Sequence, residues 1–324
     1  MAETTAVTAK AAQAGAASPA AAKAAASTDA ACVFLDGEYL PAGQARLSVF
    51  DAGFGQGIAV FDTLAAWQGY LFKLDAHVER LYRSLHAVRI TVPFTTRQFK
   101  EIVLETTRRS GLRDAYVQCL VTRGVRTLAP ITQWQPSVIV YAVPYLWAVP
   151  QDRVAHGARL IIARTRNLPP DCVDPLIKNV NRLHSYLAKL EAEDAGADEV
   201  LLLDRHGHVT ESRGANVFLV RSGRLMTPAS GMLEGITRET VFEIARESGR
   251  RVEERAISPA AVYTADEVFL CTTAGGIIPV IDVDGRQIGS GRPGPITRAI
   301  SATYWRWHVS GPYATPVGIA ADGA

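Results

Sequence analysis

Between residues 199 and 226 the chain places four short runs that read as strands, 199–203, 208–211, 216–220 and 224–226, with Gly207 and Gly223 in the turns. Glycine supplies the positive φ that tight hairpins need, so consecutive runs fold back on one another. Connections this short have no room for the crossover helix of a parallel unit. The segment therefore predicts an antiparallel sheet or barrel, and the fold class is α+β, not doubly wound α/β.

The rest of the chain divides around this segment. Residues 32–35 read as a strand turned at Asp36-Gly37 into Tyr39-Leu40, and another strand ends at Leu71-Phe72. Asp75 caps a helix whose Val78, Leu81, Tyr82, Leu85 and Val88 recur at helical spacing, with Arg80 off that stripe. Thr95 or Thr96 caps a second helix that stops at Gly111, and strands at 115–121 and 138–143 complete a first α+β unit closing near Pro150. A strand at 159–163 opens the second unit. Leu183, Tyr186, Leu187 and Leu190 mark a helix ending near Gly196. A helix at 237–248, a strand at 267–271, a hairpin at Asp284-Gly285 and a closing helix at 295–309 follow. Gly53-Phe54-Gly55-Gln56-Gly57 lacks the spacing of a dinucleotide loop and precedes a strand, so it reads as a glycine-rich hairpin.

Composition narrows the class of partner. The 324 residues carry 34 basic and 32 acidic side chains, a net charge of +2, with no basic block and no interleaved aromatics, which argues against a nucleic-acid surface. A small-molecule partner is expected. Cys32, Cys119, Cys172 and Cys271 stand singly, which fits a reducing, cytoplasmic setting without disulfides. The longest apolar stretch, 138–149, contains Pro144 and is well short of the ~20 residues that span a bilayer, so no membrane segment is expected. Residues 1–31 are Ala-rich without a secretory pattern and read as a disordered tail. The seven histidines show no ligand spacing, so no metal site is expected.

The chemistry is carried by an ordered set. Of six lysines, Lys178 alone sits in a loop among apolar and amide residues, where partial burial lowers the pKa of an amine and leaves it nucleophilic. Glu211 ends a strand beside the small residues Ser212, Gly214 and Ala215, which let a flat ring approach the backbone. Gly235-Ile236-Thr237 opens a helix, whose unpaired N–H groups favour a phosphate. Thr273 adds a hydroxyl and Arg80 a bidentate, charge-assisted contact. An amine, a carboxylate and two hydroxyl-bearing turns in this order suit pyridoxal 5'-phosphate, which needs a Schiff-base donor, a partner for its ring nitrogen and a phosphate cup.

Taken together, His77-Val78-Glu79-Arg80-Leu81, Lys178, the run from Glu211 to Phe218, Gly235-Ile236-Thr237-Arg238 and Cys271-Thr272-Thr273-Ala274-Gly275-Gly276 resemble the class IV, fold-type IV pyridoxal-phosphate aminotransferases. The resemblance implies a small N-terminal α/β sandwich domain (32–150), a larger C-terminal pseudo-barrel domain that binds the cofactor (151–312), a C-terminal tail (313–324) and a homodimer. It implies Lys178 as the catalytic Schiff-base lysine, with Arg80, Glu211, Leu233, Ile236, Thr237, Thr272 and Thr273 holding the cofactor. Within the family the likeness is to the (R)-selective amine transaminases, through segments such as Val121-Thr122-Arg123-Gly124, Val173-Asp174-Pro175 and the Thr-Thr-Ala-Gly-Gly turn.

The function expected is transfer of an amino group from a primary amine to an α-keto acid such as pyruvate. Arg126 is the candidate for the acceptor carboxylate; Phe61, Thr63, Tyr116, Arg182 and Ala274 are candidate pocket residues. Arg182 stands where those amine transaminases carry a Trp. The alternatives are a branched-chain or D-amino-acid aminotransferase, an aminodeoxychorismate lyase-like enzyme, or a cofactor-binding protein without turnover. The D-amino-acid enzymes carry an Arg-x-His pair after Thr-Arg-Gly, and Val125-Arg126-Thr127 has no such histidine.

Overall fold

A computed structural model describes residues 32–319 of the chain; the expected N-terminal tail and residues 320–324 lie outside the described residues. The first unit contains strands β1 (Cys32–Leu35), β2 (Glu38–Pro41), β3 (Ala59–Trp67), β4 (Tyr70–Phe72), β5 (Ala115–Thr122) and β6 (Val138–Pro144). They pair in the order β4-β3-β5-β6-β1-β2, every pair antiparallel. Helices α1 (Ala52–Gln56), α2 (Leu74–Ala87) and α3 (Thr96–Ser110) accompany the sheet. Alternation along β5 sends Ala115, Val117, Cys119 and Val121 into the core with Leu81, Leu85 and Phe99 of α2 and α3. Its partner residue Tyr116 therefore faces the other way. Each fully buried Leu or Phe here contributes about 1.5–3 kcal/mol.

The second unit carries β7 (Ala158–Ile162), β8 (Glu199–Leu203), β9 (Val209–Glu211), β10 (Asn216–Arg221), β11 (Arg224–Pro228), β12 (Val252–Arg255), β13 (Glu267–Thr272), β14 (Gly276–Val283) and β15 (Arg286–Gln287). The order is β12-β11-β10-β13-β14-β7-β8-β9, with β15 on β14, in a sheet curled into a half-barrel. Helices α4 (Gln151–His156), α5 (Leu183–Asp194), α6 (Ile236–Glu247), α7 (Pro259–Tyr263) and α8 (Pro295–Ser310) complete it. Val217 and Leu219 of β10 point to one core, and Phe218 and Val220 point to another that they share with α6 and α8. Such two-sided burial needs apolar residues at successive positions, which is why β8 and β13 read as continuous apolar runs. Gly276 opens β14 with φ 66° against Trp305 and Tyr304, whose rings lie 2.8 and 2.9 Å from where a Cβ would sit.

The α+β class holds, and several local expectations are corrected. The second sheet is mixed: β7 runs parallel to β8 and β12 parallel to β11, because α5 and α6 supply crossovers, and β7 also runs parallel to β14. Residues 52–56 form the short helix α1, ended by Gly57 in a left-handed conformation, instead of a hairpin, since buried Asp51 accepts the Gly53 N–H at 2.7 Å and the Thr122 hydroxyl at 2.8 Å. The cap of α2 is Lys73, in a left-handed conformation, and Asp75 lies in the first turn, paired with Lys100. Lys73 is itself buried and pairs with Glu243 of α6 at 2.7 Å, joining the two units. The segment expected as a C-terminal tail holds β16 (Ala314–Pro316), which pairs with β4 while Val317 is fully buried behind it. Finally, α5 turns Ser185, Ala188 and Ala192 inward. Leu183, at 71% exposure, and Tyr186, at 58%, face outward with Leu187 and Leu190.

Candidate active site

A cavity of about 300 Å³ opens where the two sheets meet. β3 contributes Phe61 and Thr63 and β5 contributes Tyr116, all from the sheet face opposite α2 and α3. Thr63 Oγ1 and Tyr116 Oη lie 3.4 Å apart. The opposing walls are the end of β9, the start of α6 and the turn after β13.

Lys178 is on an irregular segment, yet its backbone is held at both polar groups. Phe61 N–H donates to its carbonyl at 2.9 Å, and its own N–H donates to Ser84 Oγ of α2 at 3.2 Å. Its Nζ sits 4.5 Å from the centre of the Phe61 ring. Burial, reinforced by the nearby Arg80 charge, brings the amine down to about 7. At neutral pH a large fraction is therefore the free nucleophile.

Glu211 shows the opposite displacement for the same reason. Burial pushes its carboxyl up to about 7, against the lowering pull of Arg182 and Asn167. Asn167 Nδ2 donates to Oε1 at 3.2 Å, and Leu233 N–H approaches Oε2 at 3.4 Å. Asn216 Nδ2 donates to the Leu233 carbonyl at 2.8 Å, so the loop into α6 is fixed from two sides.

At the far end α6 begins at Gly235, and no side chain caps it. The first-turn N–H groups, with Ile236 and Thr237 in the lining, give the cavity a wall of partial positive charge. A Cβ on Gly235 would collide with the Asn216 amide oxygen, so a larger residue there would displace the Asn216 side chain. The turn after β13 is tied back by Tyr145, whose hydroxyl donates to the Thr273 carbonyl at 2.5 Å and accepts from Gly275 N–H at 2.8 Å. Thr272 Oγ1 donates to the Gly214 carbonyl at 2.8 Å.

Arg80, Lys178, Glu211, Leu233, Ile236, Thr237, Thr272 and Thr273 all line this one cavity, as do Phe61, Thr63, Tyr116, Arg182 and Ala274. Arg126 does not. It is exposed on a loop that Val125 pins to Asp51 and whose Arg126 N–H donates to the Phe50 carbonyl. Arg80 is buried against Asp62. Sequence reasoning missed Asp62 and Asn167; a single acid inside the apolar run Val60-Phe61-Asp62-Thr63-Leu64 was the available signal for the first.

The donor set fits pyridoxal phosphate: a free amine, a carboxyl poised to share a proton, and an uncapped helix start beside an arginine. Comparison with known proteins agrees. The model of the family described as amino-transferase class IV matches residues 59–283. A putative branched-chain-amino-acid aminotransferase of Methanocaldococcus jannaschii is 39% identical over 84% of this chain and 94% of its own length. A D-alanine aminotransferase of Bacillus licheniformis is 32% identical over 83% of this chain and 94% of its own. Among solved structures, the branched-chain aminotransferase of Thermoproteus uzoniensis with norvaline superposes with a TM-score of 0.82 at 34% identity, covering 88% of this chain and 99% of the other. A T.th. branched-chain amino acid aminotransferase solved with pyridoxamine 5'-phosphate gives a TM-score of 0.84 at 33% identity, covering 88% and 98%.

Fold and site thus define a fold-type IV, pyridoxal-phosphate-dependent transaminase. The chain belongs to the class IV aminotransferases.

Proposed function

We propose that the enzyme moves the amino group of a branched aliphatic L-amino acid to an α-keto acid, working as a cytoplasmic homodimer. The observation that carries the substrate class is Arg182. Its guanidinium lines the cavity and, among the described residues, donates no hydrogen bond and forms no ion pair, whereas neighbouring Arg213 is neutralised by Glu199 at 2.7 Å. An unpaired cation in a cavity favours substrates that bring a carboxylate. The names borne by the relatives point the same way, and Arg126, the sequence-based candidate for this task, lies outside the cavity.

When bound, the cofactor supplies an aldehyde that condenses with amines and a ring that accepts electrons. Lys178 is the residue to hold it, and Lys178 Nζ, once free, carries the proton to and from the substrate carbon. Glu211 takes the ring nitrogen and keeps a proton there. The α6 N-terminus with Ile236 and Thr237, together with Arg80 and Thr273, takes the phosphate, and Leu233 packs on the ring. Phe61, Thr63, Tyr116 and Ala274 shape the side-chain pocket. The outward Leu183, Tyr186, Leu187 and Leu190 of α5 make an apolar stripe that a second copy would cover. Among the described residues no helix is long and apolar enough to cross a membrane.

An (R)-amine transaminase is the second reading, favoured by the Thr272-Thr273-Ala274-Gly275 turn. The two separate in a donor screen with 2-oxoglutarate and pyruvate as acceptors. We expect kcat/KM for L-leucine to exceed that for D-alanine and for either enantiomer of 1-phenylethylamine by about 100-fold. A higher value for (R)-1-phenylethylamine than for L-leucine replaces the first reading with the second.

A further inference from the structure

Asp62 has no place in the roles given above, yet it is 1% exposed and sits behind the cavity wall. Strand alternation puts Phe61 and Thr63 on the cavity face of β3 and Asp62 on the face covered by α2. Its carboxylate is saturated. Oδ2 accepts Arg80 Nε–H at 2.8 Å, and Oδ1 accepts Arg80 Nη2–H at 2.8 Å, His77 Nδ1 at 2.7 Å and the Thr63 N–H at 2.7 Å. Burial alone would raise this carboxyl, but Arg80 and then His77 outweigh it and hold the group below the usual carboxylate range. His77 is in turn pulled down by its own burial against the raising pull of Asp62, and because the carboxylate can only accept, Nδ1–H is the donor of their hydrogen bond.

The guanidinium of Arg80 has five N–H donors in a fixed plane. Asp62 takes two, on the Nε and Nη2 side, and the Glu234 carbonyl takes a third from Nη1 at 3.2 Å. Glu234 immediately precedes the Gly235 cap of α6. The fork is therefore anchored at one edge to β3 and at another to the loop that delivers the helix start. One donor on Nη1 and one on Nη2 remain.

We propose that Asp62, seated by His77, is a positioning residue that sets the plane of Arg80 so that its two remaining N–H groups meet the cofactor phosphate. This rests on the reading that Arg80 takes that phosphate. A buried acid can neutralise a buried arginine without orienting it for anything. The two roles differ in one respect: an orienting role acts on ligands that carry a phosphate and spares those that do not.

The test uses the full chain stripped of cofactor, with absorbance or fluorescence titration of pyridoxal 5'-phosphate and, in parallel, of pyridoxal, which lacks the phosphate. The proteins are wild type, Asp62→Asn, Asp62→Glu, Arg80→Lys and the Asp62→Asn/Arg80→Lys double variant. For Asp62→Asn we expect the Kd of the phosphorylated aldehyde to rise about 10- to 100-fold and that of pyridoxal to change less than about threefold. Asp62→Glu, which keeps the charge and displaces the oxygens, shows the same selective loss to a smaller degree, and it serves if the Asn variant does not fold. The double variant binds no more weakly than the weaker single variant, since both changes act through one fork. Equal weakening of both ligands, or unchanged Kd values, in the Asp62 variants overturns the proposal. If Arg80→Lys shows the selective loss while the Asp62 variants do not, the positioning role alone falls. If Arg80→Lys also leaves the ratio unchanged, the phosphate role of Arg80 falls with it.

Discussion

The two ends of the cavity handle charge in opposite ways. Around Arg80 the charge has its counter-charge in place, in a buried network of Asp62, His77 and the Glu234 carbonyl. Around Lys178 and Glu211 the charges are under-compensated, and burial moves both groups to about 7 from opposite directions. A finished network fixes geometry and does not exchange protons. An unfinished one has protons to give and take at neutral pH. Holding and reacting are thus assigned to separate ends, and the separation can be attacked experimentally.

The largest effect should come from Lys178→Ala. We expect kcat to fall by about 10⁴-fold or more, measured as single-turnover transamination, while the pyridoxal phosphate Kd changes far less than kcat. Comparable losses in both would erase the distinction between the ends.

Glu211→Gln comes next, with a fall in kcat on the order of 100-fold. It also carries a stability signature in the cofactor-free protein. The folded carboxyl at about 7 lies above its ordinary value of 4.5, so folding favours the protonated form. That contribution is complete below pH 4.5 and is lost as pH rises through 7. Denaturant melts should show the variant close to wild type at pH 5 and more stable at pH 8, by up to about 3 kcal/mol. A gap that narrows with rising pH would contradict the assignment.

Changes at the holding end are smaller and of another kind. Thr237→Ala should raise the cofactor Kd by about 5- to 10-fold with kcat at saturation nearly unchanged. The smallest effect is expected for Asn167→Ala. Loss of the 3.2 Å hydrogen bond raises the Glu211 carboxyl further, so the acidic limb of the pH–kcat profile moves to higher pH and kcat falls about threefold.

Local signals in the sequence carried much of this. Gly111 and Gly249 sit just past helix ends, and Thr95 with Gln98 makes a reciprocal capping pair, because these features depend on residues within one turn. The ordered set from Lys178 to Thr273 was legible because each member brings its own chemistry to a recognisable turn. Burial direction was not. The Leu183, Leu187 and Leu190 stripe has the periodicity of a core face, but periodicity does not say whether this chain's own core lies behind it, and Ala188 and Ala192 make the close approach instead. Asp62 gave no sign of being the partner of Arg80 because the two lie on different elements brought together by the fold, and Asn167 gave none because Glu211 reaches it only through tertiary structure.

The strand at Ala314–Pro316 has a consequence for synthesis. The first sheet's outer edge at β4 stays open until the entire second sheet has been made, because the segment that seals it is encoded after α8. A nascent chain at the ribosome thus keeps that edge's amides and carbonyls uncovered throughout synthesis of the second sheet, and the first sheet is completed only once residues 314–316 emerge.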